Sequence, residues 1–439
     1  MNSAHIRPER RVVISGLGVV APNGIGTEQF WQACVAGRSG IRRVSRFDAS
    51  SLPSQVAGEV THFEPAAFGL TPFEVQHMDR ATQFALAAAQ LALEDGGLNP
   101  NATPILTPVD RERIGVYMGT ATACQDAGER QWALLTNNGE HDASLAPEID
   151  LPASLLISHT VASGIAAHQQ LYGPCVVIAT GCSAGADAIG EAYWAIQEQR
   201  ADRMLAGGAD SSISYGIMDV FCVMGALSTG YNEQPQRASR PYDQRRDGFV
   251  MAEGAGIVLL EERNLALARG AHIYAEIIAF SSNSNAYHMT SLPPDGYPLQ
   301  ILLQQAMAEA HISADQLDYI NAHGSSTPPN DRAETAAYKA VFGEQAYHIP
   351  ISATKSMLGH TQGAASAIET IVTALALDRQ CIPPTINLDQ ADPLCDLDYV
   401  PGVARPATVN VALTHSSGFG GVNSALVLAR PDWITAHEQ

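Results

Sequence analysis

Two nucleophiles stand side by side in "IATGCSAGADAIG", residues 178–190: Cys182 and Ser183. Gly181-Cys-Ser183-Ala-Gly185 fits the G-x-S-x-G turn that presents a serine in hydrolases. The same stretch reads equally as a strand ending at a cysteine with a helix behind it. At a helix N-terminus, unsatisfied N–H groups and the positive dipole end favour an anion, so a thiol there is expected to have a depressed pKa. A serine hydroxyl gains far less and needs a tight base. A lone cysteine is most often an inert buried thiol, and on this stretch alone the choice stays open.

Distant segments supply partners. "NAHGSSTPPND" places His323 just beyond a buried strand, followed by hydroxyls at Ser325, Ser326 and Thr327. "SATKSMLGHTQGAASAIE" places Lys355 five residues before His360, at another strand-to-helix crossing. "HSSGFGG" sets Phe419 among three glycines in a terminal turn. Each of the 14 histidines, taken alone, is more often structural than catalytic. Two at equivalent strand exits, one with a lysine nearby, are harder to assign to structure.

The elements that must position these groups alternate between strand and helix. "RRVVISGLGVV", "RIGVYMGT", "PCVVIATGC" and "RMLAGGAD" read as buried strands. Residues 27–37 read as a short helix, "MDRATQFALAAAQLALEDGG" as a longer one, and "ASLLISHTVASGIAAHQQLYG" and "SAGADAIGEAYWAIQEQ" as two more. The grammar then repeats with "HIYAEIIAFS", a helix over 299–310, "LDYINAHGSS", a helix over 331–342, "PISATKS" and a helix over 361–377. In the last helix Ile368, Ile371, Val372 and Leu375 mark one buried face. Each part closes on a glycine-punctuated segment, 248–262 and 411–429, read as a pair of strands. This echo predicts two related halves, 1–264 and 265–439. Gly16-Leu-Gly18-Val-Val-Ala21 imitates a dinucleotide turn, but Pro22, Asn23 and Gly24 follow where a phosphate-binding helix should continue.

Composition narrows the class. With 439 residues, 46% hydrophobic but only 6% aromatic, and 37 glycines, the chain must build its interior from small aliphatic side chains, as an α/β protein does. A formal charge of -20 argues against nucleic-acid and membrane-surface roles. Seven scattered cysteines without a C-x-x-C pair, and no H-E-x-x-H, predict no metal site and a reduced, cytoplasmic chain. The first residues show no apolar signal core, and no apolar run is long enough for a bilayer.

"TGCSAG", "NAHGSST", "KSMLGH" and "GFGG", in this order and at these spacings, resemble the β-ketoacyl-ACP synthases of the thiolase superfamily. The resemblance covers nearly the whole chain. Finer wording, "SRPYDQRRDGFVMAEGAG", "NAYHMTSLPPDG", "NDRAETAA" and "CDLDYVP", is similar to the ketosynthase α subunit of type II polyketide synthases. "HGSSTPPND" departs from the usual polyketide wording, and "GFGGVNSA" is nearer to fatty-acid enzymes.

The resemblance implies a thiolase fold: two similar βαβαβαββ halves forming a five-layered α-β-α-β-α core. It implies a Cys-His-His condensing enzyme with no permanent cofactor, whose substrates arrive on the phosphopantetheine arm of an acyl carrier protein. Cys182 would carry the acyl chain, and His323 and His360 would stabilise the enolate from malonyl-ACP. Lys355 would orient the site with Glu369 as partner. Ser325 and Thr327 would contact the arm, and Phe419, flanked by Gly418 and Gly420, would be gate and oxyanion N–H. Asp331 is a secondary site residue, read as capping its helix with Glu334. Arg240, Arg245 and Arg246 are the candidates for carrier docking. The strand "PCVVIA" would pair across a dimer axis with a chain-length-factor homologue lacking the cysteine. The alternatives are a homodimeric fatty-acid-type synthase and, from another class, a serine hydrolase using Ser183.

Overall fold

A computed structural model describes residues 10–98, 106–142 and 158–433. The start of the "ASLLISHTV" segment and the first nine residues, on which the signal-sequence reading rests, lie outside them.

Among the described residues ten strands form the frame: β1 (Val12–Ala21), β2 (Ile114–Gly119), β3 (Cys175–Ile178), β4 (Arg203–Ser211), β5 (Glu253–Glu262), β6 (Ala275–Ser284), β7 (Tyr319–Asn321), β8 (Ile351–Ser352), β9 (Val411–Ser417) and β10 (Val422–Ala429). Their spatial order is β3-β2-β4-β5-β1 followed by β6-β10-β9-β7-β8. Counted within its own half, each set runs 3-2-4-5-1. The pairings repeat as well. β2 is parallel to β3 and β4, as β7 is to β8 and β9. β5 is antiparallel to β4 and β1, as β10 is to β9 and β6. The two sets join where Val12, Val13 and Ile14 of β1 meet Ile277, Glu276 and Ala275 of β6. The core strands are short continuous apolar runs because helices cover both faces.

Among the described residues nine longer helices complete the layers: α1 (Thr27–Val35), α2 (Arg80–Asp95), α3 (Gln125–Thr136), α4 (Thr160–Gln169), α5 (Ala184–Gln197), α6 (Tyr215–Val223), α7 (Tyr297–Glu309), α8 (Pro328–Phe342) and α9 (Ala365–Arg379). Every residue from Ala365 to Leu377 is buried, so α9 has no solvent face and runs through the centre beside α5. Small residues make this approach possible: a Cβ on Gly185 of α5 would come within 2.8 Å of the Ala367 Cβ on α9. Around α5 and α9 lies the central apolar cluster. A second lies under α2 and α4, and a third under α7 and α8. The succession is α-β-α-β-α, the thiolase fold.

The sequence reading misses α3 and α6 and misjudges 248–262. That segment holds one ladder strand, β5. Residues before it form isolated bridges, Phe249 to Leu227, Met251 to His360 and Ala252 to Gly58. These bridges draw the chain off the sheet toward the site. β3 is a sheet edge, with Cys175 and Val176 exposed.

Candidate active site

β3 stops at Ile178, and Gly181 turns the chain at φ 65, where a side chain would be strained. One 3-10 turn, Gly181–Ser183, then leads into α5. Cys182 sits in that turn, 4% exposed, on the wall of a cavity of about 440 Å³. His323, His360, Ser325, Thr327, Gly418 and Phe419 line the same cavity. The structure thus gathers residues up to 237 positions apart in sequence around one thiol.

The expectation of a depressed thiol pKa is overturned. Burial pushes Cys182 up to about 11, while the Lys355 charge and the Phe419 N–H pull it down. Desolvation wins because the thiol is buried. Ser183 cannot take its place. Its buried hydroxyl faces the backbone carbonyls of Ser416 at 3.1 Å and Val422 at 2.9 Å, so its proton serves packing.

His323 follows β7, and His360 follows the short helix Lys355–Leu358. Their rings lie 5.4 Å apart, nearly perpendicular. Burial, reinforced by the Lys355 charge, holds both imidazoles well below their ordinary pKa, so both are neutral at neutral pH. Their tautomers can be argued from their neighbours. The Gln362 backbone N–H donates to Nδ1 of His360 at 3.1 Å. The Lys355 ammonium, which has only donors, approaches Nδ1 of His323 at 3.4 Å. With Nδ1 accepting in each ring, the proton lies on Nε2. The cavity is therefore lined by two rings that can each offer an N–H.

Lys355 also donates to the His323 carbonyl at 2.7 Å and pairs with Glu369 on α9. Burial raises the Glu369 carboxyl to about 7, with Lys355 opposing. Ser325 and Thr327 hydrogen-bond each other at 2.8 Å. Gly420 does not line the cavity. Its N–H donates to the Met289 carbonyl at 2.8 Å, tying the glycine turn to the 285–296 loop, while Gly421 takes its place on the wall.

Asp331 does not cap α8. Thr327 is the N-cap, and the Asp331 carboxylate accepts the Tyr242 N–H at 2.9 Å and pairs with Arg246 at 3.1 Å. This corrects the docking reading too. Arg240 and Arg246 are buried, Arg240 on Asp243 and Asp389, Arg246 on Asp331 and Asp392. Only Arg245 of the three is exposed, and it faces Asp243 and Asp389. Buried charges need such partners, so two of the three arginines brace the wall of the site and present nothing to a carrier.

Two important residues carry no sequence signal. Ser416 donates to the Cys182 carbonyl at 3.0 Å. Asp210, fully buried near the end of β4, accepts the N–H groups of Ala121, Thr122, Ala123 and Gly363 and the hydroxyls of Thr120 and Thr122. Gly363 is three residues beyond His360. Asp210→Ala would strand three backbone donors, on Ala121, Thr122 and Gly363, each costing about 1–3 kcal/mol, while the Ala123 N–H keeps the Thr120 hydroxyl at 2.9 Å. We expect calorimetry to show a clear fall in Tm, because the turn that carries His360 and Gly363 loosens. An unchanged Tm would refute this role.

Among the described residues no group of side chains could hold a metal ion, and no helix is long and apolar enough to cross a membrane.

Residues 9–266 match the family described as "Beta-ketoacyl synthase, N-terminal domain", and residues 274–389 its C-terminal domain. The chain is 44% identical over 426 residues to the tetracenomycin polyketide synthase ketoacyl synthase alpha subunit of Streptomyces glaucescens, covering 96% of this chain and 98% of that one. It is 41% identical to 3-oxoacyl-[acyl-carrier-protein] synthase 2 of Coxiella burnetii, covering 96% and 99%. Among solved structures, a type II polyketide synthase acyl-carrier protein in complex with its ketosynthase bound to the hexaketide is similar at TM-score 0.88 and 38% identity, covering 96% of this chain and 99% of that one. The ishigamide ketosynthase/chain length factor is similar at TM-score 0.85 and 33% identity, covering 96% and 99%.

Proposed function

The chain belongs to the β-ketoacyl synthase family, and from that premise we propose that it is the ketosynthase α subunit of a type II polyketide synthase, working by Cys-His-His chemistry. The observation that supports the chemistry is the cavity in which Cys182 shares a wall with His323 and His360, both kept neutral by burial and the Lys355 charge.

In the first step Cys182 attacks an acyl thioester on the carrier's phosphopantetheine arm. A new C–S bond forms, the pantetheine C–S bond breaks, and the cysteine proton ends on the departing pantetheine thiol. The Phe419 N–H, already directed at Cys182, and the Cys182 N–H polarise the acyl carbonyl. Malonyl-ACP then occupies the cavity with its thioester oxygen toward the Nε2–H groups of His323 and His360. The bond to its carboxylate breaks, CO2 leaves, and the electron pair becomes an enolate held by those donors. The enolate carbon attacks the acyl carbonyl, the Cys182 thiolate is expelled, and the chain is two carbons longer. Lys355, braced by Glu369, keeps the His323 tautomer in place. Ser325 and Thr327 contact the arm, and Phe419 alternates between loaded and accepting states.

The two steps should respond differently to pH. A thiol pushed up to about 11 is mostly protonated at neutral pH. Alkylation of Cys182 by iodoacetamide should therefore rise roughly tenfold per unit between about pH 7 and 10. Both histidines have lowered pKa values, so their neutral form persists from below 6.5 upward. Decarboxylation of malonyl-ACP should stay flat over that range. A bell-shaped decarboxylation profile centred near neutrality would contradict the assigned protonation states.

The relative from Coxiella burnetii keeps a second reading alive, a homodimeric fatty-acid-type synthase. The exposed edge of β3 suits pairing with a like strand in either case. Co-expression with a cysteine-lacking homologue, followed by native mass spectrometry and product analysis, separates them. A heterodimer making polyketides supports the first reading; a fully active homodimer indifferent to the partner supports the second.

A further inference from the structure

The peptide that joins His323 to Gly324 is held at both ends. Its carbonyl accepts from the Lys355 ammonium at 2.7 Å, and its N–H donates to the Glu334 carboxylate at 3.1 Å. A cation on the oxygen and an anion on the N–H fix the plane of this peptide, and with it the direction in which the His323 ring leaves the backbone. The turn has no slack. Gly324 sits at φ 42, and a Cβ there would come within 2.4 Å of the Ala353 Cβ. Lys355 is braced from behind by Glu369. The corresponding brace for Glu334 is His415, which takes no part in the proposed steps.

His415 lies buried on β9, with Nε2 2.9 Å from Oε1 of Glu334. An ionised carboxylate only accepts, so Nε2 is the donor. Nδ1 of His415 has no hydrogen-bond partner among the described residues. The Tyr338 hydroxyl meets Nε2 as well and donates to the same carboxylate oxygen at 2.8 Å. Tyr242 and Asn330 add donors to the other oxygen, each at 3.2 Å. Burial pushes the Glu334 carboxyl up, and His415, Tyr338 and the Gly324 N–H, acting against burial, hold it below its ordinary range. Successive residues of a strand point to opposite faces. Ser416, next along β9, reaches the site directly, its hydroxyl 3.2 Å from Nδ1 of His323. His415 reaches the same histidine from behind, through Glu334.

We propose that His415 is a positioning residue for the decarboxylation step: its Nε2–H fixes Glu334, Glu334 fixes the His323–Gly324 peptide, and that peptide aims the His323 ring at the substrate oxygen. The inference rests on the ketosynthase reading. It confines the effect to one step, because in the proposed mechanism only decarboxylation uses the His323 N–H, and acyl loading of Cys182 does not. It also confines the effect to one atom, because Nε2 is the nitrogen that meets Glu334 and Nδ1 meets nothing.

The test measures Cys182 acylation from acyl-ACP and CO2 release from malonyl-ACP separately in three variants. Glutamine sets its amide nitrogen at the reach of Nε2, asparagine only at the reach of Nδ1, and leucine fills the space with no donor. His415→Leu and His415→Asn are expected to lower kcat for CO2 release about tenfold or more, the effect of losing one hydrogen bond to a charged group, with KM and the acylation rate within about twofold of wild type. His415→Gln is expected to restore most of the lost kcat. A residue needed only for packing would tolerate leucine as well as glutamine and would not separate the two steps. Should His415→Leu fail to fold, the glutamine and asparagine variants decide on the same readout. Wild-type CO2 release in His415→Asn, equal losses in the glutamine and asparagine variants, or acylation falling in step with CO2 release would overturn the proposal. A wild-type protein that neither accepts an acyl group nor releases CO2 would instead refute the ketosynthase reading.

Discussion

Cys182→Ala is expected to abolish acyl loading and condensation outright, whereas Ser183→Ala should keep most of both. Cys182 alone combines a thiol on the cavity wall with the Phe419 N–H and the Lys355 charge directed at it. Ser183 is buried against two carbonyls, and its loss should cost about 1 kcal/mol of stability, the worth of a typical hydrogen bond. Incubation with acyl-ACP followed by peptide mass spectrometry should find the acyl group on Cys182. An adduct on Ser183, or loading retained by Cys182→Ala, would restore the hydrolase reading.

His323→Ala and His360→Ala should leave the Cys182 adduct intact and suppress CO2 release from malonyl-ACP. In the proposed mechanism the enolate exists only in the decarboxylation step, and each ring would contribute one N–H to it. Losing one positioned donor to an oxyanion costs roughly 3 kcal/mol, about a hundredfold in rate. Single-turnover assays that follow acyl transfer and labelled CO2 separately would show the split. Normal CO2 release from both variants, or loss of acyl transfer in step with it, would remove the enolate assignment.

What could be read from the sequence had a local signature. Buried apolar runs marked β1, β2 and β4, and Cys182, His323 and His360 stood in short motifs. Lys355 was visible because it stands five residues before His360 in one motif. Asp210 and Ser416 gave no such sign, since each acts on a turn 153 or 234 residues away along the chain. The arginines of "SRPYDQRRDG" misled for a related reason. Charged side chains are rarely buried without partners, and two of those partners, Asp389 and Asp392, come from a distant loop. The helix terminus behind Cys182 is visible in the sequence, whereas the burial that raises the thiol pKa is not. α6 escaped notice because its apolar residues face outward, where periodicity expects polar ones.

The repeated strand order has a mechanical consequence. Ser416, next to last in β9, grips the Cys182 turn of the first half, and Asp210, next to last in β4, grips the Gly363 turn of the second. Each half's fourth strand is the latch on the other half's turn. The two turns are cross-braced: loosening β9 frees the Cys182 carbonyl, and loosening β4 frees the Gly363 N–H. Under the proposed mechanism, opening along either strand would disturb the thiol turn and the His360 turn from the opposite half, so damage to one part would be felt in both steps of the reaction.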